Sequence, residues 1–389
     1  MANFTNPGIY RQDVSLLGQP VTAANTSTVA FIGNTGAGPV AQPVLVNSFT
    51  EYQSQFQSAA DPVQNSADSP DAMTQALMAF YGNGGKKAYI CRLTSADYQA
   101  FYQTVLLNYH DFSLIVLPGQ HWDIATGNTA ITATLAFCQQ HKQCLLLMDV
   151  AASQPLTGAA SVAALALPTS SYAALYYPWL KMVNPLYHAV NNPTAAKLLS
   201  IAPSAVAAAV YTRTDSSFGV WKTPAGVSAK IIGVSGLAYS VDELSQQQLN
   251  PLGINCIRTL PRVGTVLWGA RTLATQADPE WRYISVRRTA IFIEQSIRQS
   301  LGWAVFEPNE QPLWQAVRRN ISNFLNTLFR AGAMQGQTAK EAFFVRCGLN
   351  DSMTQHDITK QQLVVELGFA PLKPAEFVVI RIVHPLTPP

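Results

Sequence analysis

Between residues 112 and 177 the chain alternates short apolar runs with stretches of helical character. The apolar runs lie at 112–117, 144–150 and 171–177, and helices are expected over about 125–140 and 159–166. This alternation predicts a sheet covered by helices and containing parallel strand pairs. Upstream, an apolar strand at 28–32 leads through the turn-rich Gly33-Asn-Thr-Gly-Ala-Gly-Pro39 to a second strand at 43–46. Residues 60–70 read as a loop. A helix over 70–81 carries Ala72, Met73, Ala76, Leu77 and Phe80 at helical spacing and stops at Gly82-Asn-Gly-Gly85, before a strand at 87–92. An Ala-rich helix over 204–211 opens on Ser204, a good N-cap, after Pro203.

The last third is of the α+β kind. A helix over about 279–300 places Tyr283, Val286, Ala290, Ile293 and Ile297 on one stripe, with Glu294 and Arg298 four apart on the other side. A second, over about 311–331, has the apolar stripe Leu313, Val317, Ile321, Phe324 and Leu328 and the polar stripe Gln315, Arg319, Ser322, Asn326 and Arg330. Pro312 suits its first turn and Gly332 its stop. Strand-forming segments follow at 342–347, 362–367 and 377–383. At both ends lie extended segments with no evident partner in the chain, 9–14 and 378–382. They read as arms for strand addition.

A chain of 389 residues divides into two or three domains. Only 12% of its residues are charged, with a net charge of +3, against roughly 25% charged in an average soluble domain. Such a surface is expected to work against other protein; the alternative is that Ser, Thr, Asn and Gln supply its polarity. No apolar run reaches the roughly 18 residues a membrane span needs. The first residues lack the basic and apolar regions of a signal peptide, so synthesis in the cytoplasm without export is expected. The five scattered cysteines point to reduced, buried thiols. Arginines are not gathered into a phosphate-neutralising run, which speaks against nucleic acid.

Catalytic and cofactor chemistry finds little support. The loop 33–39 follows a strand, as a nucleotide-binding loop would, but has no Gly-Lys-Ser/Thr, and Pro39 falls where a helix should open. It reads as a tight turn between two strands. Cys138, His141 and Cys144 could share a helical face, yet structural zinc takes four ligands and no fourth can be assigned. Core packing of both thiols is the default. His110-Asp111 and His121-Trp-Asp123 lack an accompanying nucleophile motif and read as turn residues. No catalytic residue and no cofactor is assigned.

Charge is distributed unevenly instead. From Arg258 to Arg330 there are ten arginines, no lysine and five acidic residues, whereas Glu51 to Phe80 holds four acidic residues and no base. Arginine suits desolvated pairing, so these regions could meet between identical copies in a head-to-tail contact. Equally, Arg282, Arg287, Arg288 and Arg298 could pair within their own subunit.

Several motifs stand in one order: Asn6-Pro-Gly-Ile-Tyr10, Arg213-Thr-Asp215, Gly219-Val-Trp-Lys222, Gly253-Ile-Asn-Cys-Ile-Arg258, Trp268-Gly-Ala-Arg271, Asp278-Pro-Glu-Trp-Arg-Tyr283, Phe306-Glu-Pro-Asn309 and Pro374-Ala-Glu-Phe-Val-Val-Ile-Arg-Ile382. Together they resemble the contractile tail sheath proteins of phages, tailocins and related injection systems, best over residues 5–55 and 205–385. The resemblance implies an α/β and α+β chain: an assembly domain from both chain ends (21–94 and 241–376), an inserted outer α/β domain (95–240), an N-terminal arm (1–20) and a C-terminal arm strand (377–389). It implies a homo-oligomer of six-fold rings stacked helically on an inner tube protein, with baseplate and terminator or cap proteins as further partners, and neither nucleic acid nor membrane insertion. Contraction would drive the tube through a target envelope without ATP. Assembly would occur in the bacterial cytoplasm, and function in a virion tail or an injection particle. The arm residues implied are Ile9, Tyr10, Val14, Phe377, Val378, Val379, Ile380, Arg381 and Ile382. Residues facing the tube or a neighbour would be Gln315, Arg318, Arg319, Ser322, Asn326 and Arg330; alternatively, that helix is enclosed and Arg319 pairs internally. An α/β enzyme using the middle domain, or a static shell protein, are the competing readings.

Overall fold

The computed structural model describes residues 18–57, 69–123, 127–274, 278–372 and 378–385. The arm residues Ile9, Tyr10, Val14 and Phe377 lie outside the described residues.

The wholly apolar runs become the centre of an eight-stranded sheet. Its strands are β1 (Thr28–Gly33), β2 (Val44–Val46), β3 (Lys87–Arg92), β4 (Leu114–Val116), β5 (Leu145–Asp149), β6 (Ala173–Tyr177), β10 (Ile254–Leu260) and β11 (Gly264–Leu267), in the order β11-β10-β6-β5-β4-β1-β3-β2. From β3 to β10 all neighbours run parallel, and the two edge strands are antiparallel. Helices cover both faces, which is why the central strands are almost wholly apolar rather than alternating. Successive residues still take opposite sides. Ala30, Ile32, Ile115, Leu146, Met148 and Leu175 enter one core with α3 (Tyr98–Thr104), α4 (Thr129–His141), α5 (Ala159–Ala164) and α7 (Glu243–Leu249). Val29, Phe31, Leu114, Val116, Leu145 and Leu147 enter the other, under α1 (Phe49–Phe56), α2 (Ala72–Gly82) and α6 (Pro203–Phe218). The small side chains Ala205 and Ala207–Ala209, all fully buried, let α6 lie close against the sheet.

Two smaller units complete the chain. β7 (Leu180–Val183), β8 (Leu198–Ile201) and β9 (Val234–Leu237) form an antiparallel sheet in the order β8-β7-β9. The third core unites α8 (Ile284–Ser300) and α9 (Gln311–Arg330) with a sheet of β12 (Phe343–Arg346), β13 (Gln362–Phe369) and β14 (Val378–Pro385). The apolar stripe expected on α9 is buried there: Leu313, Val317, Ile321, Phe324 and Leu328 all face inward.

Mixed helix and sheet is the class expected, but three details differ. The large sheet runs across the boundaries expected at 94/95 and 240/241: β4 pairs with β1 and β10 with β6, so residues 95–240 share a sheet with both flanking segments. Parallel pairing is the reason, since strands distant in sequence become neighbours through helical crossovers. Likewise the loop 33–39 is no turn between adjacent strands, because β3 lies between β1 and β2. Finally α8 is buried on nearly every side; Ile291 packs into the large sheet's core while Ile293 and Ile297 pack into the third.

Candidate assembly interface

The third core is fastened to the large sheet by arginines on α8. Arg288 donates to both carboxylate oxygens of Asp215 on α6, at 2.9 and 2.6 Å, and to the carbonyl of Thr26. Both side chains of this ion pair are all but sealed from water. Arg287 lies between two rings, 3.4 Å from the Trp281 centroid and 4.5 Å from that of Tyr172, and donates to Ser171 Oγ and Tyr172 Oη. Its Nε has no hydrogen-bond partner, and burial lowers the guanidinium's pKa. The aromatic faces supply part of the lost solvation. Arg298 pairs with Glu294 one turn away at 3.0 Å. Arg287 and Arg288 are therefore engaged inside the subunit, and Arg298 pairs there too while its side chain stays about half exposed.

Residues 18–26 cross the same two helices. The Thr22 and Ala24 amides donate to Ser300 Oγ and Ser296 Oγ, both at 2.9 Å, and Asn320 Nδ2 donates to the Gln19 carbonyl. Gly18 has φ of +100°, and a Cβ there would meet Asn320 and Trp303 at under 3 Å. The lead-in to residues 1–17 is thus tied down where it passes α8 and α9.

Val378, Val379, Ile380, Arg381 and Ile382 do not lack a partner in their own chain. β14 pairs with β13 over its whole length, antiparallel, with Val378 opposite Phe369, Arg381 opposite Glu366 and Ile382 opposite Val365. Arg381 is exposed and Ile382 buried, as alternation requires. β13 lies between β12 and β14, and the far edge of β14 carries no strand among the described residues. On α9, Gln315, Arg319 and Arg330 are exposed, while Arg318, Ser322 and Asn326 are half-buried. The strand and the helix face belong to one module, since α8 packs on β14 and α9 on β12.

The connection from α8 to α9 holds Phe306-Glu-Pro-Asn309. Asn309 accepts from Trp314 Nε1 at 2.7 Å and donates to the Gln362 carbonyl at 3.1 Å. One side chain thereby clamps the connection to α9 and β13. Just before it, Phe306 has φ of +70° and is 79% exposed.

Known proteins bear on this module directly. Residues 276–384 match the family model described as the phage tail sheath C-terminal domain. A putative prophage major tail sheath protein of Pseudomonas aeruginosa is 29% identical over 159 residues, 40% of each chain. The sheath of the PVC extracellular contractile injection system in its contracted state superimposes with a TM-score of 0.76 at 28% identity, over 98% of both chains. A chain of the six-fold symmetrised baseplate of the anti-feeding prophage is 30% identical with a TM-score of 0.72, covering 98% of this chain and 99% of that one. The chain belongs to the contractile tail sheath family. Its curated relatives are matched over less than half of their length, whereas the structural likeness is end to end.

Several motifs of this sheath chain now have physical reasons. In Arg213-Thr-Asp215, Asp215 holds Arg288, and Arg213 donates to the carbonyls of Asn83 and Lys230. In Gly253–Arg258, buried Asn255 donates to the carbonyls of Leu175 and Arg271 and accepts from the Arg271 amide at 2.6 Å. A Cβ on Gly269 would stand 2.8 Å from Asn255 Cα, so Trp268-Gly-Ala-Arg271 needs glycine for this close approach.

The chemical candidates fall apart. Cys138 and Cys144 are buried with their sulfurs 3.5 Å apart, while the His141 ring packs tilted against Phe137. No group of three metal-ligating side chains occurs among the described residues. His110 Nδ1 meets Gln143 Oε1 rather than Asp111. No helix is long and apolar enough to cross a membrane. The proteins matched are sheath proteins of phage tails and contractile injection systems, not enzymes. Reading the sequence missed Asp149, which ends β5 fully buried and accepts from the amide and hydroxyl of Ser204 on α6, at 2.9 and 2.5 Å. Burial pushes its carboxyl up to about 7, against those two hydrogen bonds.

Proposed function

We propose that this chain is the sheath subunit of a contractile particle. Copies stack as six-fold rings around an inner tube, and the stack shortens without ATP to drive the tube through a target envelope. The observation that carries this reading is the end-to-end likeness to the contracted sheath of an extracellular injection system. Copies linked by exchanged strands would stay connected while their faces change partners. Residues 18–26, which follow the N-terminal segment, run beside α8 and α9, and among the described residues β14 offers an unpaired edge to a strand from a neighbour. In the assembled state β14 could instead leave β13 and pair on an adjoining copy, an exchange of identical elements. The exposed face of α9, with Gln315, Arg319 and Arg330, would meet an acidic tube surface.

The outer part of the particle would be built from residues between 95 and 240, above all the small sheet of β7, β8 and β9. Assembly would take place in the bacterial cytoplasm, with baseplate and cap proteins closing the two ends.

Purified full-length protein should form long striated tubes in negative stain without nucleotide, and removal of residues 1–15 should leave folded subunits that form none. A full-length chain that stays monomeric at high concentration, with the truncation behaving the same, would sink the reading.

A further inference from the structure

Phe306 combines two features that rarely occur together. Its backbone lies in the left-handed region at φ of +70°, and its ring is 79% exposed. Positive φ in a bulky residue is strained, and such strain persists only where surrounding structure imposes it. Three residues on, Asn309 ties the same connection to α9 and β13. Beside the ring, Glu307 has no cationic partner among the described residues.

A groove of about 720 Å³ opens elsewhere on the same chain. Trp221, Trp268 and Tyr283 line it with aromatic surface, and Lys222 and Arg271 with positive charge. Neither cation meets a carboxylate among the described residues; Arg271 reaches only the Asn250 carbonyl, at 3.3 Å. The groove begins at Tyr283, immediately before α8, while Phe306 follows the other end of that helix. Seventeen residues of helix separate them, a length of about 25 Å. Phe306 is exposed, so it does not fill its own groove.

The geometry points to a contact between copies in which Phe306 of one chain enters the Trp221–Trp268–Tyr283 groove of the next and Glu307 approaches Lys222 and Arg271. The pairing matches apolar with aromatic surface and acid with base. Knob and socket at opposite ends of one helix make a head-to-tail contact, which closes into a ring or runs on as a helix according to the rotation between copies. A single aromatic anchored in a pocket is also the usual form of an interface hot spot. The inference rests on the sheath reading, to which it adds a specific link.

The test places the photocrosslinker p-benzoylphenylalanine at position 306 of the full-length chain and mixes copies of natural and heavy nitrogen before irradiation. Mixed-isotope crosslinks to peptides containing Trp221, Trp268 or Tyr283 are expected. In parallel, Phe306→Ala should leave the monomer's thermal unfolding unchanged and raise the concentration at which tubes form by about tenfold or more. Glu307→Lys should weaken assembly, and Lys222→Glu should restore it in the double variant. Tubes without that crosslink, or Phe306→Ala assembling like the wild type, overturn the contact and leave the sheath reading intact. The crosslink without tubes supports the contact and counts against the sheath reading.

Discussion

Asp215 and Arg288 lie 73 residues apart in sequence and meet as a two-bond ion pair buried between α6 and α8. A buried pair of this kind is worth little against a well-packed apolar replacement, but either charge left alone inside is costly. Asp215→Ala or Arg288→Ala should each destabilise the subunit by about 3–5 kcal/mol in urea unfolding. Joint replacement by Leu and Met should recover most of that loss. If the single variants each cost less than 1 kcal/mol, the pair does not join the third core to the large sheet.

The serine contacts to the N-terminal lead-in give a local test. Ser296 and Ser300 each accept one backbone amide, from Ala24 and Thr22. Replacing both with Ala should cost about 1–2 kcal/mol, since each net hydrogen bond contributes roughly 1. Hydrogen exchange should quicken at residues 19–26 while β4 and β5 remain protected. Uniform quickening across the chain would show that the serines hold the whole third core instead.

The legibility of the sequence followed the burial of each element. Strands buried on both faces, such as β5, are apolar at every position before the closing Asp149 and were expected nearly to the residue. The α9 stripe was equally plain because one face of that helix stays wet. β7 and β9 were missed: each has four residues, and neither is a continuous apolar run. The arginines left two readings open for a different reason. Composition shows an excess of guanidinium groups, but only tertiary contact reveals that Asp215, Trp281 and Tyr172 enclose them. For β14 the segment itself was read as a strand; its pairing with β13 was hidden by the intervening Pro371 and Pro374, which mask a hairpin.

Gly269 offers a test of close approach without any change of charge. A Cβ there would meet the Asn255 backbone at 2.8 Å and its side-chain oxygen at 3.0 Å. Gly269→Ala should therefore separate β10 from the 268–271 loop and cost about 1–3 kcal/mol. The groove between Trp221 and Trp268 should change with it, read as a shift in tryptophan fluorescence. An Asn255→Ala exchange in the same background should add little, because both changes break one contact.

Asp149 predicts a pH dependence whose sign is set by burial. Its carboxyl is raised to about 7 in the folded chain from an ordinary 3.8. Between those values the unfolded chain has lost the proton and the folded chain keeps it, so this group's contribution to stability falls as pH rises from about 4 to about 7. The slope approaches 1.4 kcal/mol per pH unit at most, about the worth of one proton. Asp149→Asn cannot ionise, and its Oδ1 can still accept from the Ser204 amide. Unfolding free energies of wild type and Asp149→Asn, compared from pH 5 to pH 8, should therefore shift in favour of the variant as pH rises. A difference constant across that range would mean that the Ser204 hydrogen bonds and the N-terminus of α6 hold the carboxylate charged throughout, outweighing its burial.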